Sequence, residues 1–182
     1  MRFTPQSIPD VILVEPTVFQ DDRGFFLESY HAERFAAGGI ACSFVQDNHS
    51  RSVKGTLRGL HFQRLPGQAK LVRCVRGRIW DVAVDIRPSS PSFGQWVAQE
   101  LSEENKRMLF VPIGFAHGFA VLSEQADVLY KCSHYYEADT EAGLAWDDPD
   151  VALPWPVQSP LLSGRDLANP TLRRLFPERF HG

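Results

Sequence analysis

Short β-type runs broken by turn chemistry recur from one end of this chain to the other, and they leave it few architectures. Period-two or continuous apolar character marks residues 11–14, 24–30, 44–49, 55–62, 69–75, 78–86, 96–101, 107–111, 118–122, 128–136 and 143–146. The breaks carry Asp21-Asp22-Arg23-Gly24, Leu65-Pro66-Gly67, Arg76-Gly77 and the proline- and serine-rich loop 87–92. Many short strands at such spacing predict an all-β sandwich or barrel. Short helices are expected only at 31–37 and 103–106. Beyond Trp155 the sequence reads as an irregular, proline-punctuated tail with a short helix near 171–175.

One domain spanning 1–182 is expected, because a chain of 182 residues that is 43% apolar can bury one sizeable core but hardly two. Nineteen basic residues against twenty-two acidic ones give a net charge of −3, so there is no electrostatic footprint for nucleic acid or an anionic membrane surface. An anionic ligand must then be held by local basic side chains. The apolar runs are too short to span a bilayer, and the opening residues lack an apolar leader core, which makes the cytoplasm the expected compartment. Cys42, Cys74 and Cys132 are odd in number and widely spaced, as buried structural thiols would be.

Two stretches carry chemistry. Gly55-Thr-Leu-Arg-Gly-Leu-His61-Phe-Gln63, followed by Lys70 and Gly77, resembles the first cupin motif, and Pro112-Ile-Gly114-Phe-Ala-His117 resembles the second, P-x-G-x-x-H. The resemblance implies a β jelly roll with His61, Gln63, Lys70 and His117 in one barrel interior. A metal-binding cupin would supply a second imidazole where this chain has Gln63 and a carboxylate where it has Lys70. An ammonium repels a cation, so neither metal nor cofactor is expected. The same lysine puts positive charge where an oxyanion could use it.

Six segments, two of them overlapping these stretches, occur in an order that resembles the dTDP-4-dehydrorhamnose 3,5-epimerase family: Phe19-Gln-Asp-Asp-Arg-Gly-Phe-Phe-Leu-Glu28, Phe44-Val-Gln-Asp-Asn48, Leu57-Arg-Gly-Leu-His-Phe-Gln63, Gly114-Phe-Ala-His-Gly-Phe119, Val128-Leu-Tyr-Lys131 and Ala145-Trp-Asp-Asp-Pro149. The resemblance covers roughly residues 2–166. It implies a cupin-type jelly roll, a homodimer, and a thymidine-diphospho 4-keto-6-deoxy sugar as substrate, epimerised at carbons 3 and 5.

Acid–base work beside a ketone needs a base on one face, a cation or donor at the enolate oxygen, and an acid on the other face. On the family pattern His61 is the base, Asp166 its orienting partner, Lys70 the cation and Tyr130 the acid. The pattern further implies substrate contacts from Arg23, Phe26, Glu28, Gln46, Asp47, Asn48, Arg58, His117, Tyr136, Glu141 and Arg165, with the arginines suited to phosphate oxygens and Phe25, Phe26 and Tyr136 to stacking on a base. Arg165 stands where many relatives carry lysine. His31, His49, His134 and His181 read as ordinary core or surface residues. Epimerisation at carbon 3 or carbon 5 alone stays open, as does a catalytically silent sugar-nucleotide-binding cupin; a metal-dependent cupin is opposed by Gln63 and Lys70.

Overall fold

Antiparallel pairing organises nearly the whole chain in the computed structural model, which describes residues 1–180. His181 lies outside the described residues. In chain order the strands are β1 (Arg2–Pro5), β2 (Ile12–Glu15), β3 (Val18–Asp21), β4 (Gly24–Leu27), β5 (Gln46–Val53), β6 (Leu57–Gln63), β7 (Lys70–Arg76), β8 (Arg78–Asp85), β9 (Trp96–Ser102), β10 (Met108–Val111), β11 (Phe115–Val121), β12 (Gln125–Cys132) and β13 (Glu141–Gly143). Three short α-helices accompany them: α1 (Ala32–Ala37), α2 (Gly164–Leu167) and α3 (Leu172–Leu175). One sheet has six strands in the order β1-β2-β10-β7-β12-β5, and a second has five in the order β13-β6-β11-β8-β9. This is the all-β jelly roll that the strand pattern and the cupin motifs lead one to expect.

Alternation of side chains along each strand separates three apolar layers. Val72 and Cys74 of β7, Leu109 and Val111 of β10 and Val128 of β12 meet Ile79 and Ala83 of β8, Leu101 of β9 and Phe115 and Phe119 of β11 between the two sheets. The outer face of the six-stranded sheet is covered by Phe35 of α1 with Ile40, Phe3 and Phe44. On the outer face of the five-stranded sheet, Val82, Val84 and Leu60 pack against Trp155, Leu172 and Phe176 of the tail. The tail thus lies against the sheet that carries β6.

Several boundaries differ from the sequence reading. Residues 103–106 form a turn, not a helix. Lys106 N–H bonds to Ser102 C=O, but Lys106 then adopts φ 57°, and Asn105 Oδ1 accepts from the backbone N–H of Ser102 and Arg107. Those side-chain bonds compete with a continuing helical ladder. β1, β3 and α2 went unforeseen. The run at 24–30 is a strand only to Leu27, and the run at 128–136 begins earlier, at Gln125, and stops at Cys132.

Candidate active site

Period-two alternation also places polar groups inside the sandwich. Lys70 has the parity of Val72 and Cys74, Tyr130 that of Val128, and Asp81 and His117 those of Ile79 and Phe115, all in the central layer. These side chains therefore point into the interior at an end where polar residues replace the apolar core. On β6 the register against β11 shifts between His117 and Phe119, next to Gly59 at φ 110°, where a Cβ would lie 2.6 Å from the His117 carbonyl oxygen. The irregularity turns Leu60 outward to the tail cluster and the following residue, His61, inward.

His61 is held by Asp166, 105 residues away, with Nε2 and Oδ1 2.5 Å apart. Asp166 belongs to α2, whose first turn Ser163 caps by accepting from the Asp166 N–H at 3.1 Å, and it is only 4% exposed. A carboxylate only accepts hydrogen bonds, so Nε2 carries the ring proton and Nδ1 is left as the basic nitrogen. Burial pushes the His61 imidazole below its ordinary value, opposed by the bond to Asp166 and its charge. A neutral ring near pH 7 follows.

A cavity of about 270 Å³ is lined by His61, Lys70, Tyr130, Gln46, Asn48, Gln63, Gln68, Tyr136 and Glu141 among others. His61 comes from the five-stranded sheet, whereas Tyr130 and Lys70 come from adjacent strands of the six-stranded sheet facing it. The Lys70 ammonium lies 6.0 Å from the centre of the Tyr130 ring. Burial pulls the Lys70 amine below the usual lysine range, partly offset by the neighbouring Cys132, Glu141 and Asp81. It pushes the Tyr130 phenol up, so that hydroxyl keeps its proton at neutral pH.

At the cavity mouth the Tyr136 hydroxyl donates to Glu141 Oε2 at 2.5 Å, and Arg165 Nη2 reaches the same oxygen at 2.7 Å. Burial raises the Glu141 carboxyl, but these two partners outweigh it and hold the group below the ordinary range. Arg165 precedes Asp166, so this cluster pins the tail helix beside the dyad. Arg58, His61, Arg165 and Asp166 line a second, more open hollow of about 440 Å³ on the other side of His61.

Other candidate residues stand apart from this cavity. Arg23 is exposed at the tip of the β3–β4 hairpin and paired with Asp21 at 2.6 Å, Phe26 is 69% exposed, and Glu28 is paired with Arg34 at 2.9 Å. Asp47, between the cavity-lining Gln46 and Asn48, turns to the outer face and takes Lys131 at 2.6 Å. His117 does not line the cavity; its Nε2 donates to Asp81 at 2.8 Å. Gln63 Nε2 bonds to Glu137 C=O and Thr140 Oγ1, fixing the loop before β13. Among the described residues, no group of three or more His, Cys, Asp or Glu is arranged to hold a metal ion.

Asp81 and Gln68 escaped the sequence reading. A carboxylate at an inward position of the otherwise apolar run Ile79-Trp80-Asp81-Val82-Ala83 was a usable signal. Gln68, in the turn before β7, carried none.

Comparison with known proteins accords with this geometry. The model of the dTDP-4-dehydrorhamnose 3,5-epimerase family matches residues 5–174. The dTDP-4-dehydrorhamnose 3,5-epimerase of Pseudomonas aeruginosa is 55% identical over 168 residues, 91% of this chain and 93% of that protein. The enzyme of the same description from Shigella flexneri is 54% identical over 169 residues, 92% and 93% of the two chains. The crystal structure of the dTDP-6-deoxy-D-glucose-3,5-epimerase of Legionella pneumophila in complex with dTDP-4-keto-L-rhamnose superposes with a TM-score of 0.94 at 47% identity, covering 98% of this chain and 96% of that one.

Proposed function

The chain belongs to the dTDP-4-dehydrorhamnose 3,5-epimerase family, and from that premise we propose that it converts dTDP-4-dehydro-6-deoxy-D-glucose to dTDP-4-dehydro-L-rhamnose by inverting carbons 5 and 3 in turn. The observation that carries this reading is the placement of His61, with Asp166 behind it, on one wall of a cavity whose opposite wall bears Tyr130 and Lys70. Inversion requires removal of a proton from one face and its return to the other.

In each half of the reaction His61 Nδ1 takes the proton from the carbon beside the ketone. The C–H electron pair moves into the ring and the carbonyl π pair moves onto oxygen. Asp166 stabilises the imidazolium that forms, and the Lys70 ammonium neutralises the enolate oxygen. The Tyr130 hydroxyl then delivers a proton to the opposite face, and proton exchange with water returns the resulting phenolate and the imidazolium to their starting forms before the next half. Side chains alone supply this chemistry. Gln46, Asn48, Tyr136 and Glu141 bound the sugar and nucleotide positions, and Arg58 and Arg165 offer guanidinium donors to the diphosphate.

A homodimer supplies the remaining contacts. The β3–β4 hairpin exposes Phe19, Phe25 and Phe26 around Arg23 and pairs with neither main sheet, as an arm seated on a second protomer would. Arg23, Phe26 and Glu28 then reach the partner's pocket. No helix of the described residues is long and apolar enough to cross a membrane; the cytoplasm is the proposed compartment.

Proton NMR of dTDP-4-keto-6-deoxyglucose incubated with the protein in heavy water tests the reading. Deuterium entering at both carbons with inversion at both is expected. Exchange at one carbon would make it a single epimerase, and exchange at neither would make it a sugar-nucleotide binder.

A further inference from the structure

Gly143 of β13 stands opposite His61 of β6 in the antiparallel register. Cross-strand partners project to the same face of a sheet, so a side chain at 143 would rise beside the imidazole, on the face from which Glu141 lines the cavity. Asn169 occupies that space instead. A Cβ added at Gly143 would lie 2.1 Å from Asn169 Oδ1, 2.3 Å from its Cγ and 2.4 Å from its Nδ2. Gly143 does not have the positive φ that favours glycine, so the close approach of Asn169, and not a turn, calls for a residue without a side chain.

Asn169 is tied to the dyad through α2. Its N–H reaches the Asp166 C=O at 3.5 Å, and the Ala168 N–H donates to the Arg165 C=O at 3.0 Å, so the helix runs into it without slack. On either side the tail is pinned. Leu161 bonds to Gly55 and Leu57 at 2.9 and 3.0 Å, beside the start of β6; after the helix, Pro170 C=O accepts from Ala145 N–H at 2.9 Å and Asp148 Oδ2 from Leu172 N–H at 2.6 Å. Asp166 lies between those anchors and must be held at 2.5 Å from His61 Nε2. Within the span, Arg165 meets Glu141 through a half-exposed guanidinium. The Asn169 amide is wedged against the β13 backbone, with Nδ2 sealed from solvent and without a hydrogen-bond partner among the described residues. A buried donor that bonds to nothing acts by its bulk.

We propose that Asn169 is a positioning residue for the epimerisation: seated in the notch that Gly143 leaves beside the base, it sets the depth at which α2 docks, and thereby the contact of Asp166 with His61. The inference rests on the epimerase reading of that dyad.

The test exchanges bulk across the contact. Gly143→Ala puts a methyl group where the amide stands and should drive Asn169, and α2 with it, off the strand. A misplacement of about 1 Å can cost on the order of 10²-fold, so kcat should fall by at least about tenfold. The charged groups acting on the His61 imidazole are Asp166 on α2, Lys70 on β7 and Glu141 on β13, and Asp166 is the leading one that opposes burial. With Asp166 withdrawn, the His61 titration in free enzyme should move to lower pH, and the acidic limb of kcat/KM with it. NMR of ring-labelled histidine follows that titration, with the signal assigned by its loss in His61→Asn. Asn169→Ala, which leaves the notch empty, should be impaired in the same direction. Gly143→Ala combined with Asn169→Ala removes the atoms that the methyl group would meet and should return both kcat and the titration toward wild type, the non-additivity that direct contact requires. A folded Gly143→Ala with the His61 titration unmoved, or a double variant no better than Gly143→Ala, would overturn the proposal. If Gly143→Ala does not fold, Asn169→Ala decides, and a His61 titration unchanged from wild type would refute it. Because the titration is read without turnover, failure of the epimerase reading would show separately, as absence of deuterium exchange in the wild type.

Discussion

Removing Asp166 isolates what the dyad contributes. In the structure its carboxylate makes a 2.5 Å contact with His61, and among the causes acting on that imidazole it is the leading one that opposes burial. A hydrogen bond to a charged group is worth about 1.5–3 kcal/mol, and this one reaches full strength only when the ring becomes an imidazolium. At about 1.4 kcal/mol per tenfold, Asp166→Ala should lower kcat by about 10- to 150-fold. The sign of the pH effect is fixed by the same balance. Burial already holds the His61 value low, and loss of Asp166 removes what pulls it back up, so the value falls further. The acidic limb of kcat/KM, which reports neutral His61 in free enzyme, should therefore move to lower pH even as the maximum drops. Initial rates of epimerisation between pH 5 and 9, with folding checked by circular dichroism, give both quantities. An acidic limb that stays in place or moves upward, or a rate loss below about threefold, would refute the argument that Asp166 stabilises the charged ring.

The division of roles between the two walls predicts that His61→Ala abolishes both deuterium exchange and inversion. Tyr130→Phe should keep exchange while inversion falls by about 10²–10⁴-fold; equal loss of both in Tyr130→Phe would contradict it. Light scattering should give a dimer mass for the wild type, and Arg23→Ala should raise KM with the dimer intact if the hairpin carries Arg23 into the partner's pocket; a fully active monomer would exclude that arrangement. Exhaustive chelation should leave turnover unchanged, and loss restored by one particular metal would defeat the side-chain mechanism.

Strand content, the jelly-roll class and the identity of the central side chains were open to reading from sequence alone. Inward and outward residues alternate with period two, so Lys70, Tyr130 and His117 share the parity of core residues on their own strands. Their residue types state the chemistry, since a lysine at a metal-ligand position argues against a cation wherever it lies in space. The turn at 103–106 was misread because helix propensity is a local quantity, whereas Asn105 and Ser102 satisfy the backbone through side-chain bonds that no periodicity registers.

Tertiary structure alone decided which distant groups meet. Asp166 reaches His61 across 105 residues only because the tail packs on the outer face of the five-stranded sheet, with Leu172 and Phe176 against Val82 and Val84, and α2 is thereby laid beside β6. The facing of His61 and Tyr130 across one cavity depends on β6 and β12 belonging to different sheets, and neither strand's pattern carries its sheet assignment. Asp47 shows the same limit in the other direction: it lies between two cavity residues in sequence, and the pleat turns it to the far face of the sheet. Periodicity reports which side of a strand is buried, while the partner across the core is chosen by packing between strands far apart in the chain.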